Sequence, residues 1–320
     1  MSGLSDDTKR IPFIVVHRGG QRYLKECLDY AAANKHQVVL LGDCSNQKYE
    51  GINIYWHDHS DFGSEAMHQF NSFYQHFSTN PFEYERFCFE RHFLVYEYAR
   101  RNHLDSFFVM DSDVLLGKMS RNQREKLRGC FGEHDAALCW PEKQGKMEWT
   151  VSPHFSWWRI DALKDFLNYL LEIYQENLHI LKEKAAWHRQ NDLPGGICDM
   201  TLLYLWMESG RKRVMNFCSN DNVDLGIDMQ YKTDQENSRY LVKDRIERIV
   251  FRKGRPFYIN KENAALIPAF VIHAQGDAKR YMGMLSKGRN SSIERKTIDF
   301  CERVKSVTQK ILCYSRSIIN

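Results

Sequence analysis

At 320 residues the chain is long enough for one large domain, or for one domain with an appendage. Hydrophobic residues make up 43% and charged residues 27%, an ordinary globular balance; 45 basic against 41 acidic residues leave a net charge of +4, too even for nucleic acid as a main partner. No apolar run approaches the roughly 20 residues that span a bilayer, and the first ten residues carry no basic-then-apolar secretory pattern. Nine scattered cysteines without a CxxC pair argue against a disulfide framework or a zinc ribbon and fit a reducing, cytoplasmic setting.

In chain order, Ile11 to Val16 is a compact apolar run with β-branched residues, a buried strand stopped by His17-Arg18-Gly19-Gly20. Leu24, Cys27, Leu28 and Ala31 fall at helical spacing over Tyr23 to Asn34, and Gln37 to Leu41 is a second strand ending in Gly42-Asp43. Strand, glycine turn, helix and strand make a βαβ unit, which calls for a parallel sheet. Residues 44 to 80 read as polar and histidine-rich loop with a weak strand at Ile52 to Trp56; the irregular spacing of the histidines gives no metal site. A helix is expected over Phe82 to Asn102, then strands at Ser106 to Met110, Ala136 to Trp140 and Phe155 to Ile160. A single helix from Asp161 to about Glu183, a second over Asp199 to Glu208 and a loop over 219 to 240 follow. The core resumes at Ala269 to Ile272. Beyond Arg289 the apolar positions Ile293, Phe300, Val304, Val307, Ile311 and Leu312 suggest an amphipathic helix. That tail is rich in Lys and Arg, which suits an anionic membrane surface as well as a solvated helix face.

Two segments carry chemistry. Asp111-Ser112-Asp113 sits at the carboxyl end of an apolar strand, where open α/β sheets gather their ligands. Two carboxylates two residues apart can reach one cation once the chain leaves regular β geometry, and oxygen ligands suit magnesium or manganese, which clamp phosphate oxygens. The second segment, His273-Ala-Gln-Gly276-Asp-Ala-Lys279, again follows an apolar strand. Its imidazole can complete a metal shell begun by carboxylates. Its glycine permits close approach of a ligand to the backbone, and its ammonium supplies point charge to an anion.

An Asp-x-Asp after a strand together with a later His-x-x-Gly-x-x-Lys resembles the GT-A glycosyltransferases, especially family 8, the glycogenin and lipopolysaccharide galactosyltransferase type. The resemblance implies an α/β fold over residues 1–285, Rossmann-like, with a mixed, mainly parallel sheet flanked by helices, and a basic helical tail over 286–320. It implies that Asp111, Asp113 and His273 ligate Mn2+ or Mg2+ and that Ser112, Gly276 and Lys279 meet the diphosphate. Phe87-Cys-Phe-Glu-Arg91 looks like the family's arginine-bearing helix, placing Arg91 at the donor sugar. Ser156, in a segment similar to the strand lining that sugar but lacking its asparagine and glycine, is assigned there too. Asp199, preceding a helix, looks like the acidic residue facing the reacting sugar. His17, Arg18, Gly19 and Asp43 occupy turns where such enzymes hold the nucleoside.

The resemblance implies transfer of a sugar, with retention, from a nucleoside-diphosphate donor, UDP above all, to a hydroxyl of a glycan or glycolipid; the basic tail is expected to make a peripheral membrane contact. Two other readings compete. One is a haloacid-dehalogenase-like phosphatase with Asp111 as nucleophile, a motif that normally lies on the first strand of its domain. The other is a non-catalytic sugar-binding module. The metal rests on two motifs about 160 residues apart, so the fold must bring His273 within coordination reach of the Asp113 carboxylate.

Overall fold

The computed structural model describes residues 11–233 and 238–302. Strand β1 (Phe13–His17), helix α1 (Arg22–Ala33) and strand β2 (Val38–Gly42) form the expected βαβ unit, and β3 (Ile54–Asp58) extends it. Leu24, Cys27, Leu28 and Ala31, the apolar stripe of α1, are fully buried against the sheet. Helices α2 (Glu65–Phe73) and α3 (Phe82–Arg101) lead into β4 (Ser106–Met110), followed at once by β5 (Val114–Leu116). Helix α4 (Arg121–Glu133), strands β6 (Ala136–Cys139) and β7 (Ser152–Arg159), helices α5 (Ile160–Glu176), α6 (Leu178–Gln190) and α7 (Asp199–Glu208), and strand β8 (Val214–Asn216) come next. The C-terminal part holds short strands β9 (Val242–Lys243), β10 (Ile246–Glu247), β11 (Ile249–Arg252), β12 (Arg255–Ile259), β13 (Leu266–Pro268) and β14 (Val271–His273), then the short helix α8 (Met282–Leu285).

The central sheet has seven strands in the order β3-β2-β1-β4-β7-β6-β8. Four of its pairings are parallel, and β7 runs antiparallel to both its neighbours. This is the mixed, mainly parallel sheet flanked by helices that the GT-A resemblance implies. One face packs on α1, α8 and the C-terminal strands through Phe108, Phe155, Trp157 and Phe270. The other packs on α3, α5 and α7 through Phe70, Phe93, Phe107, Trp158 and Trp206. Each such side chain stabilises the fold by roughly 1.5–3 kcal/mol through burial, and Trp157 and Trp158 are spent on the core rather than on a ligand.

Four expectations are corrected. Residues 44 to 80 are not loop throughout: Ser64 caps α2 by accepting from the Met67 amide at 3.2 Å, and Phe70 is driven into the core. The helix expected from Asp161 to about Glu183 is two, α5 and α6, broken at Asn177, a residue whose side chain competes with helical backbone. The strand at 155–160 begins earlier, at Ser152. Strands β8 to β13 escaped notice because runs of two to five residues carry too little alternation. Residues 292–302 are helical, yet Ile293 and Phe300 are 74% and 67% exposed, so the expected apolar face is only partly covered, by Ile298 against the core. Val304, Val307, Ile311 and Leu312 lie outside the described residues. Among the described residues no helix is long and apolar enough to cross a membrane.

One backbone contact positions the C-terminal motif. The Gly226 carbonyl accepts from the amides of Phe270 (2.8 Å) and Val271 (3.0 Å), and a Cβ on Gly226 would lie 2.0 Å from the Pro268 carbonyl oxygen. Gly210 has nearly the same backbone, φ +67 against +66, but open space around it. Gly210→Ala should therefore cost about 1–2 kcal/mol for left-handed backbone alone. Gly226→Ala should cost roughly 1–3 kcal/mol more for the collision, a difference read by urea unfolding of the two variants.

Candidate active site

The chain turns sharply after β4. The Asp111 amide donates to the His154 carbonyl at 2.8 Å, continuing the β4–β7 ladder by one residue, and the strand then leaves the central sheet as β5. There it pairs antiparallel with β14, Val114 opposite His273, and the Ala274 amide donates to the Asp113 carbonyl at 2.9 Å. Two motifs far apart in sequence thus lie side by side. Ligand atoms of Asp111, Asp113 and His273 all fall within 4.8 Å of one another, the one such group among the described residues.

Asp113 is nearly buried. Its Oδ2 lies 3.2 Å from Lys279 Nζ, and its Oδ1 lies 3.5 Å from His273 Nε2, too far for a hydrogen bond. Oδ1 is therefore a buried carboxylate oxygen with no hydrogen-bond partner. Leaving such an atom without a partner is costly. A divalent cation between Asp111, Asp113 and His273 would satisfy it, and two carboxylates with one imidazole form a donor set that fits manganese or magnesium. His273 Nδ1 lies 2.6 Å from the Met229 carbonyl and donates to it, so in the neutral imidazole Nε2 is the atom with a free lone pair. Burial opposes charge on both partners, but proximity overrides it. His273 and Lys279 hold the Asp113 carboxyl well below its usual range, and Asp113 pushes the His273 imidazole up to about 9.

Beside this trio Arg91 spans two acids. It donates to Asp111 Oδ1 and to Asp199 Oδ2, each at 2.6 Å, and His92 Nε2 lies 3.1 Å from the same Asp199 oxygen. Helix α3 presents both Arg91 and His92, and Asp199 opens α7. Burial would raise the Asp199 carboxyl, but Arg91 and His92 bring it down to about 2. Gly276 has φ +60 and nothing within 4 Å of where a Cβ would stand, so the backbone before Lys279 is open to a ligand.

The remaining candidates are placed as follows. His17 Nδ1 lies 2.8 Å from the Ser112 hydroxyl, tying the β1 turn to the Asp-x-Asp segment. Gly19 donates its amide to Asp43 Oδ2 at 2.6 Å, while Asp43 Oδ1 accepts from the Ser45 amide, so this carboxylate braces two turns. Arg18 lies over the Phe87 ring at 3.9 Å and pairs with Glu90 at 3.3 Å. Ser156 is fully buried and accepts from Trp158 Nε1 at 2.9 Å, so it presents no face to a donor sugar; the expectation for it is withdrawn. Its strand neighbour His154 was missed in the sequence. It stacks on His273 with ring centroids 4.0 Å apart and planes 2° from parallel, fixing the imidazole's plane. No signal in the sequence marked it: His154 is the residue of β7 opposite Asp111, a register that only the paired strands reveal. Tyr23 was missed as well; Lys279 Nζ lies 4.9 Å from the centre of its ring.

Asp199 gives a pH-dependent stability whose sign is set. A carboxyl lowered to about 2 in the fold stabilises the protein at pH above its unfolded value, near 3.9, and loses that contribution as pH falls through 2. Asp199→Asn should therefore be strongly destabilised at neutral pH, by about 3–5 kcal/mol as for a broken buried pair. The gap to the wild type in urea unfolding should narrow steadily below about pH 4.

No family model matches the sequence, and no curated protein matches it either. Among solved structures the chain is similar to mouse xyloside xylosyltransferase 1 in its apo form, with 10% identity, a TM-score of 0.46, and 64% of this chain and 84% of that one covered. It is similar to the WbbM bifunctional glycosyltransferase at 11% identity and a TM-score of 0.41, covering 92% of this chain and 52% of that one. A cytidylyltransferase from Leptospira borgpetersenii overlays at 12% identity and a TM-score of 0.29, over 54% of this chain and 71% of that one. With every score below one half, these overlays are too loose to assign an activity.

Proposed function

We propose that this protein is a metal-dependent glycosyltransferase acting on a nucleoside-diphosphate sugar. The observation that carries the reading is the group of half-buried Asp111 with buried Asp113 and His273, with an Asp113 oxygen that lacks a hydrogen-bond partner, set beside the open backbone of Gly276 and the ammonium of Lys279. A divalent cation held there, manganese or magnesium, would supply positive charge to a diphosphate. Lys279 lies on the same side as the cation site and stabilises negative charge growing on the departing diphosphate, where such stabilisation lowers the barrier most. Ser112 and Gly276 offer a hydroxyl and exposed main chain to the same group. His17, held to Ser112, and Arg18, Gly19 and Asp43 around it form the rim that faces the nucleoside.

Arg91 and Asp199 stand on the other side of Asp111, where the donor sugar would lie. A carboxylate lowered to about 2 is a weak base, since efficient proton transfer needs a pKa near the working pH. Asp199 therefore suits electrostatic stabilisation of the positive charge that develops at the anomeric carbon, with Arg91 fixing its position. That favours retention of configuration over an inverting reaction, which needs a base. The acceptor is a hydroxyl of a glycan or glycolipid, and the donor is UDP-linked.

The test is nucleoside-diphosphate release from a panel of UDP- and GDP-sugars with and without manganese. The expected result is manganese-dependent UDP release from at least one donor, reduced at least 100-fold by Asp113→Asn, whose amide is a poor metal ligand. Release of phosphate from simple monoesters, with Asp111 phosphorylated to an aspartyl phosphate, would instead place the protein among phosphatases.

A further inference from the structure

Beyond the donor site lie two adjoining cavities that share Met229, Gln230 and Pro141 as a common wall. The nearer, of about 450 Å³, is lined by Ser152, Met200 and Gln275, neighbours in sequence of His154, Asp199 and Gly276. The farther, of about 510 Å³, is lined by Asp228, Glu247, Ser238 and Asn260, all of them buried. Both volumes are in the range of small-molecule sites, roughly 300–1,000 Å³.

The farther cavity holds a second pair of unsatisfied acids. Asp228 Oδ1 accepts from the His273 amide at 2.9 Å, but its Oδ2 has no hydrogen-bond partner. Glu247 Oε1 accepts from the Ser238 hydroxyl at 2.5 Å, and its Oε2 is equally without one. The two residues are 1% and 2% exposed, so each unpartnered oxygen is a cost that a ligand would remove. The ligand's charge is constrained from both sides. Arg239, buried with its guanidinium on the Ser219 and Ile227 carbonyls, sets a fixed positive charge nearby and disfavours a cation. The carboxyl oxygens that Asp228 and Glu247 leave unpartnered call for hydrogen-bond donors, which an anion's oxygens do not supply. What remains is a neutral molecule rich in hydroxyl donors, met by carboxyl, amide and hydroxyl side chains.

We propose that this pair of cavities is an extended acceptor site for a neutral saccharide of at least two units, with the reacting unit in the nearer cavity and the next unit held by Asp228, Glu247 and Gln230 in the farther one. The inference deepens the glycosyltransferase reading and rests on it for the direction of the chain, but the binding itself does not need a donor.

The test uses the full chain and saturation-transfer NMR with a panel of neutral mono- and disaccharides, without nucleotide or metal. Disaccharides should bind more tightly than their component monosaccharides; Glu247→Gln should weaken the disaccharide at least tenfold while leaving monosaccharide binding nearly unchanged, and Gln230→Ala, in the shared wall, should weaken the disaccharide at least tenfold as well. Among the described residues Gln230 makes no side-chain hydrogen bond, and Glu247→Gln keeps shape, so thermal unfolding should stay close to wild type. Equal binding of mono- and disaccharides, no binding at all, or variants indistinguishable from wild type would overturn the inference. Manganese-dependent hydrolysis of the donor, run in parallel, separates the two claims. If it persists while disaccharide binding ignores both variants, the acceptor site alone is wrong; if it is absent, the transferase reading fails whatever the saccharides do.

Discussion

The antiparallel pairing of Val114–Leu116 with Val271–His273 is the constraint on which this molecule's chemistry depends. Strand β5 leaves the central sheet immediately after Asp113, and its partner in the ladder is the segment that ends at His273. The pairing aligns Val114 with His273, so the residues that flank it, Asp113 and Ala274, are joined by a backbone hydrogen bond. Any slip in this short ladder would move the imidazole away from the carboxylates, because a shift of one residue turns a side chain to the opposite face. The Gly226 carbonyl, bonded to two successive amides at the start of β14, sets where that strand begins.

Around this ladder the site is built as a balance of charge. Asp111, Asp113 and Asp199 are three acids in one partly dry region, answered from two parts of the chain: Arg91 from α3 for Asp111 and Asp199, Lys279 and His273 from the C-terminal motif for Asp113. The arrangement is rigid because every member is held by a further contact. His273 is pinned by the Met229 carbonyl and the His154 ring, Asp199 by His92, and Lys279 lies over Tyr23. Positioned charges that need no rearrangement are what a reaction that develops charge on a diphosphate requires.

The same loop between residues 225 and 233 serves two surfaces. Met229 braces His273 on the side of Asp113 and, with Gln230, lines both cavities on the other. Asp228 likewise offers one oxygen to the His273 amide and leaves the other facing the farther cavity. Occupancy of that cavity and the geometry of the Asp111, Asp113 and His273 group therefore share a few backbone atoms.

Much of this was legible in the residues themselves. The βαβ start, the long helix before β4 and the strand that delivers Asp111 each carry ten or more residues of unambiguous periodicity or an uninterrupted apolar run, and local pattern decides such segments. The Asp-x-Asp and His-x-x-Gly-x-x-Lys segments were legible for another reason: few structural roles require those residue types at strand ends. Pairing was not legible. Whether Ser156 or His154 would meet the site depended on the register of β7 against β4, and register is a property of two strands that neither one encodes. The ion pairs of Arg91, the burial of Asp228 and Glu247 and the stack of His154 on His273 arise only between segments distant in sequence, where tertiary packing excludes water and makes partners of groups that the chain keeps far apart.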